Sequence, residues 1–498
     1  ALSMKIRGLT CIAACIFLLS VSVCAADPDI YTYTYNYWGN GVLSPDGYAA
    51  TEVLTASAAK TEDFNEPSDI FITEQGLIYV ADTGNDRIVV LNQDGTLNRV
   101  YSDFMLDGQP SPLYKPFGIF VRETGEMLIA DSQNRRVILS DADGNILQEF
   151  TAPDRGDIDF TGIDFDPRKV LQDKNGYVYV LCSGIPQGAL VYAPDGKFSG
   201  YFGANRVELT VELVADMIWR RFMTDEQRKK MKKYIPLEYH NFCISDDGFI
   251  YTCTEVSWNA ENQIRKLNPK GIDVLPESTA LAEKYRRRYG DLYKRFAHGA
   301  MRESRFTDIV VDSDGFINAL DYYQGRIFQY DSQGNLMFAF GGLGEQTGFF
   351  NKPVAIDTYN DKLYVLDEKK RNITVFEKTY YGELLHSAVL KYNSDDFMES
   401  EKLWSEVLRH NKNFGLAHIA IGKIYFEKED YKAAMYHFKR GQDRDNYGAA
   451  FKIYRQQIIR QFVFPAVAIM IAAGVIVFVI VRAGKSVARR RRTAGVAK

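Results

Sequence analysis

From roughly residue 60 to 380, short apolar runs alternate with turn residues, and the same order of runs returns about every fifty residues. The first unit reads Pro67-x-Asp69-Ile70, Gly76-Leu77-Ile78-Tyr79-Val80-Ala81-Asp82, Asn85-x-Arg87-Ile88, then Asp94-Gly95. The second reads Pro116-x-Gly118-Ile119, Gly125-x-Met127-Leu128-Ile129-Ala130-Asp131, Asn134-x-Arg136-Val137, then Asp143-Gly144. Val or Ile on alternate positions, bounded by Asp-Gly, is strand and hairpin chemistry. A fourth run follows the x-Gly turn, at 97–101, 146–150 and 198–202 after Asp-Gly and at 336–340 after Gln333-Gly334. Four antiparallel strands per unit predict one propeller blade, and a fixed period means that each unit buries its faces against its neighbours.

Six units are legible, with second-strand cores at 76–82, 125–131, 176–182, 248–254, 315–321 and 361–367. The expected fold is an all-β six-bladed propeller. Residues 353–376 supply only three strands of the last blade. Ser44-Pro45-Asp46-Gly47 followed by 48–54 has the form of the missing fourth, so the N-terminal region is expected to close the ring. The aromatic run 31–38, alternating with Thr and Asn, adds a further edge strand.

The pattern Pro-x-Gly-Ile, Gly-x-Ile-Tyr-Val-Ala-Asp, Asn-x-Arg-Ile resembles the NHL repeat family, best in the first two units. The resemblance implies a six-bladed propeller and says little of activity, since propellers of this type include enzymes, sensors and binding scaffolds. Cys182 and Thr254 stand where Asp82 and Asp131 stand, so the third and fourth units depart from the pattern.

Lys5 and Arg7 precede an apolar stretch at 9–23, and Val23-Cys24-Ala25 suits cleavage. Residues 1–25 therefore read as a secretory signal, with lipidation at Cys24 or an uncleaved anchor as alternatives. At the other end, 462–481 runs without a charge and is long enough to span a hydrocarbon core as a helix. Arg482, Lys485, Arg489, Arg490, Arg491, Arg492 and Lys498 follow it. Positive residues stay on the cytoplasmic side, so the expected topology is a single-pass cell-membrane protein with the propeller (26–380) outside and the tail (482–498) inside. So short a tail leaves any signal to a membrane partner.

From about Gly382 the period turns helical. Ala388, Phe397, Ser400 and Trp404 are matched 34 residues later by Gly422, Tyr431, Ala434 and Phe438. Small residues at crossing points with aromatics between them resemble tetratricopeptide repeats. Residues 381–461 are thus expected to form an all-α segment of two such repeats and a linking helix, acting as a stalk or, alternatively, as a groove for a partner.

Unit spacing lengthens at 207–235 and 276–305, two insertions that are helical in pattern and expected to share one face. Their cations are interleaved with aromatics. Trp219, Arg220, Arg221, Phe222, Lys229 and Lys230 in the first, and Arg286, Arg287, Arg288, Tyr289, Tyr293 and Arg295 in the second, are the candidate partner-binding residues. A protein partner, an acidic glycopolymer or a lipid headgroup surface would suit them. Nucleic acid would not, on the exterior side of a chain whose net charge is −4.

Catalytic residues are not evident. Related propellers with lyase or lactonase activity carry a metal in the channel, and a zinc site needs several histidines at the axis. This propeller offers His240 and His298 alone. Calcium on Asp69, Glu255, Asp308 and Asp357 is the one cofactor left open. Asp82, Asp131, Asp321 and Asp367 recur at equivalent positions and read as turn caps, with Arg87, Arg136 and Arg326 as ion-pair partners. Cys182, Cys243 and Cys253 make no CxxC pair and are expected as buried thiols, a Cys243–Cys253 bridge being the alternative. The reading is a non-enzymatic binding or scaffold protein that works with an integral-membrane partner. Its whole arrangement resembles bacterial chains associated with sugar importers, which implies an accessory subunit of a carbohydrate importer. A cell-wall glycan-binding module and a metal-dependent hydrolase or lyase are the alternatives.

Overall fold

The computed structural model describes residues 32–153, 165–185, 187–203, 238–254, 261–278 and 280–494. The chain divides into two compact units, Ala1–Leu390 and Lys391–Lys498.

The first unit is a six-bladed propeller. Blade one is Asp69–Ile72, Ile78–Asp82, Arg87–Leu91 and Leu97–Tyr101, paired antiparallel in chain order. Blades two, three and five repeat the order from Pro116, Pro167 and Phe306. Blade four shows three strands among the described residues, Tyr239–Ile244, Ile250–Thr254 and Ile264–Leu267. In blade six the outer strand is Tyr48–Thr55, which pairs with Asn372–Lys378 and closes the ring as its sequence implied. Tyr33–Tyr35 adds an edge strand on the outside of blade five and pairs in turn with Gly41–Leu43.

Period-two alternation explains why the blades stack. Ile78 and Val80 face Leu54, Leu366, Ile373 and Val375 of blade six. Their neighbours Tyr79 and Ala81 face Ile119, Met127 and Ile129 of blade two. Both faces of the second strand are buried in blades one, two and five, so these runs read as continuously apolar, whereas the outer strands Leu97–Tyr101 and Ile146–Phe150 are partly exposed.

The insertion at 276–305 is not helical. Among its described residues the structure has a single 3-10 turn, Glu283–Tyr285, and a hairpin of Arg295–Ala297 with Ala300–Arg302. Gly290 and Gly299 adopt φ of 76° and 77°, left-handed values that interrupt a helix and favour glycine. The cation and aromatic spacing that imitates a helical face instead places Phe296 opposite Met301 across the hairpin. The other insertion, 207–235, lies outside the described residues.

After the last strand of blade six comes α1 (Tyr380–Asn393). Its first turns are fitted closely to the propeller. A Cβ on Gly382 would stand 2.1 Å from the Gly47 carbonyl oxygen, so only glycine allows the approach. His386 stacks on Phe316 with ring centroids 3.7 Å apart, and its Nε2 lies 2.7 Å from Gln329 Oε1.

The second unit is helical: α2 (Phe397–His410), α3 (Gly415–Glu427), α4 (Tyr431–Gly441), α5 (Arg444–Ile458) and α6 (Phe464–Ala494). Asp396, Asp430 and Asp443 cap α2, α4 and α5 by accepting from the backbone N–H three residues on. Gly422 of α3 lets the Phe438 ring of α4 come so close that a Cβ would meet it at 2.6 Å. Pro465 has no N–H for the carbonyl four residues back, and the helix widens into a π turn at Ile459–Val463 just before it. Beyond that turn α6 is long and apolar enough to cross a membrane, with Ile469, Met470 and Phe478 exposed along it.

Candidate functional site: the propeller axis

The innermost strands place one residue of each blade at the same level of the axis. In blades one to six these are Asp69, Gly118, Lys169, Asn241, Asp308 and Ala355. A bulge precedes or includes this position in blades two to six, shifting register at Pro116/Ile119, Pro167/Lys169, Tyr239/Asn241, Phe306/Asp308 and Pro353/Ala355. Bulges free backbone groups and re-aim side chains, and here the freed amides become inter-blade donors. Ile119 N donates to Asp69 Oδ2 at 2.9 Å, and Ile356 N donates to Asp308 Oδ2 at 2.8 Å. Ile72 N donates to Asp357 Oδ2 at 2.6 Å, joining blade one to blade six. Gly118 has no room for a side chain, since a Cβ would lie 2.5 Å from the Arg168 carbonyl oxygen.

Across this ring Lys169 Nζ bonds Asp69 Oδ1 at 2.6 Å. Burial would lower the ammonium pKa, but Asp69, backed by Asp308 and Asp357, raises it above the ordinary lysine range. Burial also raises Asp69, against the pull of Lys169. It pushes Asp308 and Asp357 up to about 7. The group is a lysine shared among buried carboxyls.

Lys169 lines cavities on both sides. The larger, about 940 Å³, opens on the face that carries the turns between second and third strands, and is walled by Ser68, Ser132, Arg168, Glu238, His240 and Glu368 among others. The smaller, about 530 Å³, lies on the opposite face and meets Asp308, Asp312 and Asp357. Hydroxyls at the larger mouth tie the blades together: Thr83 Oγ1 donates to Pro116 O at 2.7 Å, and Ser68 Oγ donates to Phe117 O at 2.6 Å. Its cations are met by carboxylates, Lys352 with Glu368 at 2.5 Å and Arg168 with Asp166 at 2.6 Å. Such a mouth can hold a polar ligand without a net charge of its own.

Asp69, Asp308 and Asp357 thus converge, as a carboxylate set for calcium would, but Lys169 is the cation they surround and backbone amides engage their oxygens. Glu255 lies outside the described residues. His240 lines the larger cavity, whereas His298 sits in the hairpin and stacks on Tyr322. Among the described residues, no group of three or more His, Cys, Asp or Glu side chains is arranged to hold a metal.

The recurring aspartates are turn caps. Asp82 accepts from Asn65 N and Asn85 Nδ2 and pairs with Arg87 at 2.7 Å. Asp131 repeats this with Tyr114 N, Asn134 Nδ2 and Arg136 at 2.8 Å. Asp367 accepts from the amides of Asn351, Lys369 and Lys370. Asp321 likewise accepts from Tyr323 N and Gln324 N, while Arg326 lies over the Tyr33 ring at 4.8 Å. Cys182, Cys243 and Cys253 are free thiols.

Of the candidate partner-binding residues, Trp219, Arg220, Arg221, Phe222, Lys229 and Lys230 lie outside the described residues. Tyr289 is buried, its ring edge-on to Tyr330. Arg295 pairs with Asp291 at 2.7 Å and lies over Tyr33, so it anchors the insertion to blade five. Arg286 donates to the Leu281 carbonyl, Arg287 pairs with Glu277 and Arg288 lies 5.9 Å from the Tyr285 ring. Tyr293 is exposed. Sequence reasoning missed Lys169; alignment of the first strands, which sets it level with Asp69, Asn241 and Asp308, carries the signal.

The NHL repeat family model matches residues 64–91, within blade one. No curated protein matches the chain. Among solved structures, an inactive virginiamycin B lyase from Staphylococcus aureus with quinupristin is similar at 14% identity and a TM-score of 0.39, over 66% of this chain and 88% of that one. A streptogramin B lyase is similar at 12% and 0.40, over 67% and 100%. The extracellular domain assigned to a one-component system of B. thetaiotaomicron is similar at 11% and 0.36, over 67% and 38%.

Proposed function

We propose that this chain is a non-enzymatic, membrane-tethered binding protein, the accessory or adaptor subunit of a membrane complex. The observation that carries the reading is the succession of a closed propeller, an ordered helical unit and the apolar helix α6, flanked by Arg482, Lys485 and the arginines at 489–492. In this reading α6 spans the cell membrane once, the propeller is exterior and the basic end is cytoplasmic. The helix pairs before it serve as a tetratricopeptide-like stalk. Burial of Ala388, Ser400, Trp404, Ala434 and Phe438 at the repeat's small and aromatic positions supports that. An ordered stalk holds its load at a set height, as a Gly/Ser linker would not.

Two features favour binding over turnover. The axial carboxyls are tied to Lys169 and to backbone amides, and the cations of the larger cavity are met by carboxylates. A carbohydrate importer is the specific complex we favour, on the resemblance of the whole arrangement. Exchange of 462–481 for an unrelated apolar span of equal length tests the tether. Loss of partner co-purification with the propeller still exported supports an adaptor whose engagement needs the span as well as its exterior domains. Retention would move the engagement to the exterior domains, and turnover that stops on chelation would overturn the non-enzymatic reading.

A further inference from the structure

One rim of the propeller carries apolar side chains that the fold leaves uncovered. Phe296 and Met301 face each other across the hairpin and are 67% and 59% exposed. Tyr293, just before the hairpin, is 51% exposed, and its hydroxyl lies 3.0 Å from that of Tyr285. Trp38, 49% exposed, belongs to the same surface. The neighbouring Gly39 abuts Tyr285 and Leu292, and Tyr37 O accepts from Ala282 N. The rim is firmly seated beneath these residues: Tyr35 donates its hydroxyl to Asp291 at 2.6 Å, and Gly290 N donates to Tyr330 at 2.7 Å. A set of exposed aromatics and Met on rigid backing is what interface cores are made of.

Charge states which partner fits. Residues 276–305 hold eight Lys or Arg against four Asp or Glu, in a chain whose net charge is −4. Lys284 and Arg288 both lie against the Tyr285 ring, at 4.5 and 5.9 Å, and Arg302 lies over Tyr323 at 4.9 Å. Lys284 and Arg288 thus stand beside Tyr285, whose hydroxyl meets Tyr293, while Lys294 is paired with Glu303 at 3.1 Å and Arg302 lies on the face of the hairpin away from Phe296 and Met301.

We infer that this rim, centred on Phe296 and Met301, is a protein-docking surface whose partner presents an apolar pocket bordered by acidic residues. The inference rests on the binding-protein reading above and names the surface it would use.

The test is made on the full-length protein in its native membrane. Phe296 is replaced by photoreactive p-benzoylphenylalanine, and Leu147, exposed on the outer strand of blade two, is replaced likewise as a control. The expected result is one protein adduct from position 296 and none from 147, with the crosslinked peptide rich in Asp and Glu. Lys284→Glu with Arg288→Glu should lower the yield at least tenfold while leaving thermal melting unchanged. Equal adducts at both positions, an adduct of lipid or polysaccharide, or a yield untouched by charge reversal overturns the inference. No adduct at 296 while a partner still co-purifies overturns the surface and leaves the binding reading standing. No adduct and no co-purifying partner removes both.

Discussion

Lys169 of blade three reaches across the propeller axis to Asp69 of blade one, with Nζ 2.6 Å from Oδ1. Asp69 in turn accepts from Ile119 N of blade two, so one carboxylate ties three blades. Buried ions are costly unless paired, and loss of one partner leaves the other uncompensated.

Lys169→Met should therefore destabilise the protein by about 3–5 kcal/mol. The double variant with Asp69→Asn should recover part of that loss, since the stranded charge goes with it. Urea unfolding of the full-length protein in detergent measures both. A loss below about 1 kcal/mol for the single variant would mean that the pair is not an axial tie.

Burial pushes the Asp308 carboxyl from its ordinary 3.8 up to about 7. An acid raised in the folded state binds its proton there more tightly than in the unfolded chain. Its contribution is fully present below pH 3.8 and is lost as pH rises through 7. The stability of the natural protein minus that of Asp308→Asn should fall by up to about 1.4 kcal/mol per pH unit across that window. Burial lowers His386 to about 3, and its effect runs the opposite way, but it cancels in this difference. A difference flat with pH would contradict the assignment.

Gly382→Ala puts a methyl group where the Gly47 carbonyl already stands, 2.1 Å from the new Cβ. The helix start must shift, at a cost of about 1–3 kcal/mol for overpacking. Hydrogen exchange should quicken in α1 and in Tyr48–Thr55 together, because both meet at this contact. Quickening confined to α1 would show that the closing strand does not depend on it.

The thiols of Cys182, Cys243 and Cys253 are free, and burial pushes all three up. Maleimide at neutral pH should label none of them in the folded protein and all three in urea, read by peptide mapping. Labelling of Cys182 alone in urea would reveal a Cys243–Cys253 bridge instead.

The blade pattern is legible because the second strands bury both faces between similar neighbours, so the positions of Ile78 and Val80 are filled by Met127 and Ile129, then Val178 and Val180. The closing strand at 48–55 was legible because its Asp-Gly turn survives at Asp46-Gly47. The hairpin at 295–302 was not. The charges and apolar residues of Arg295, Phe296, Met301 and Arg302 do not separate a helix from a cross-strand ladder, and the left-handed Gly290, His298 and Gly299 do. At the axis, Asp69, Asp308 and Asp357 are legible as acids near inner strands. Lys169 is not, because a lone lysine in Pro167-Arg168-Lys169 has the sequence of a solvated turn, and its burial depends on blades far away in sequence.

The central claim is that the protein works by holding a membrane partner. Gentle purification of the full-length protein from its native membrane, after in situ crosslinking and with mass spectrometry of what remains bound, tests it most directly. A stoichiometric integral-membrane protein, lost when Phe296 and Met301 are both replaced by Ser, is the predicted result. Recovery of wall polymer alone, with no membrane protein at any crosslinker length, would contradict it.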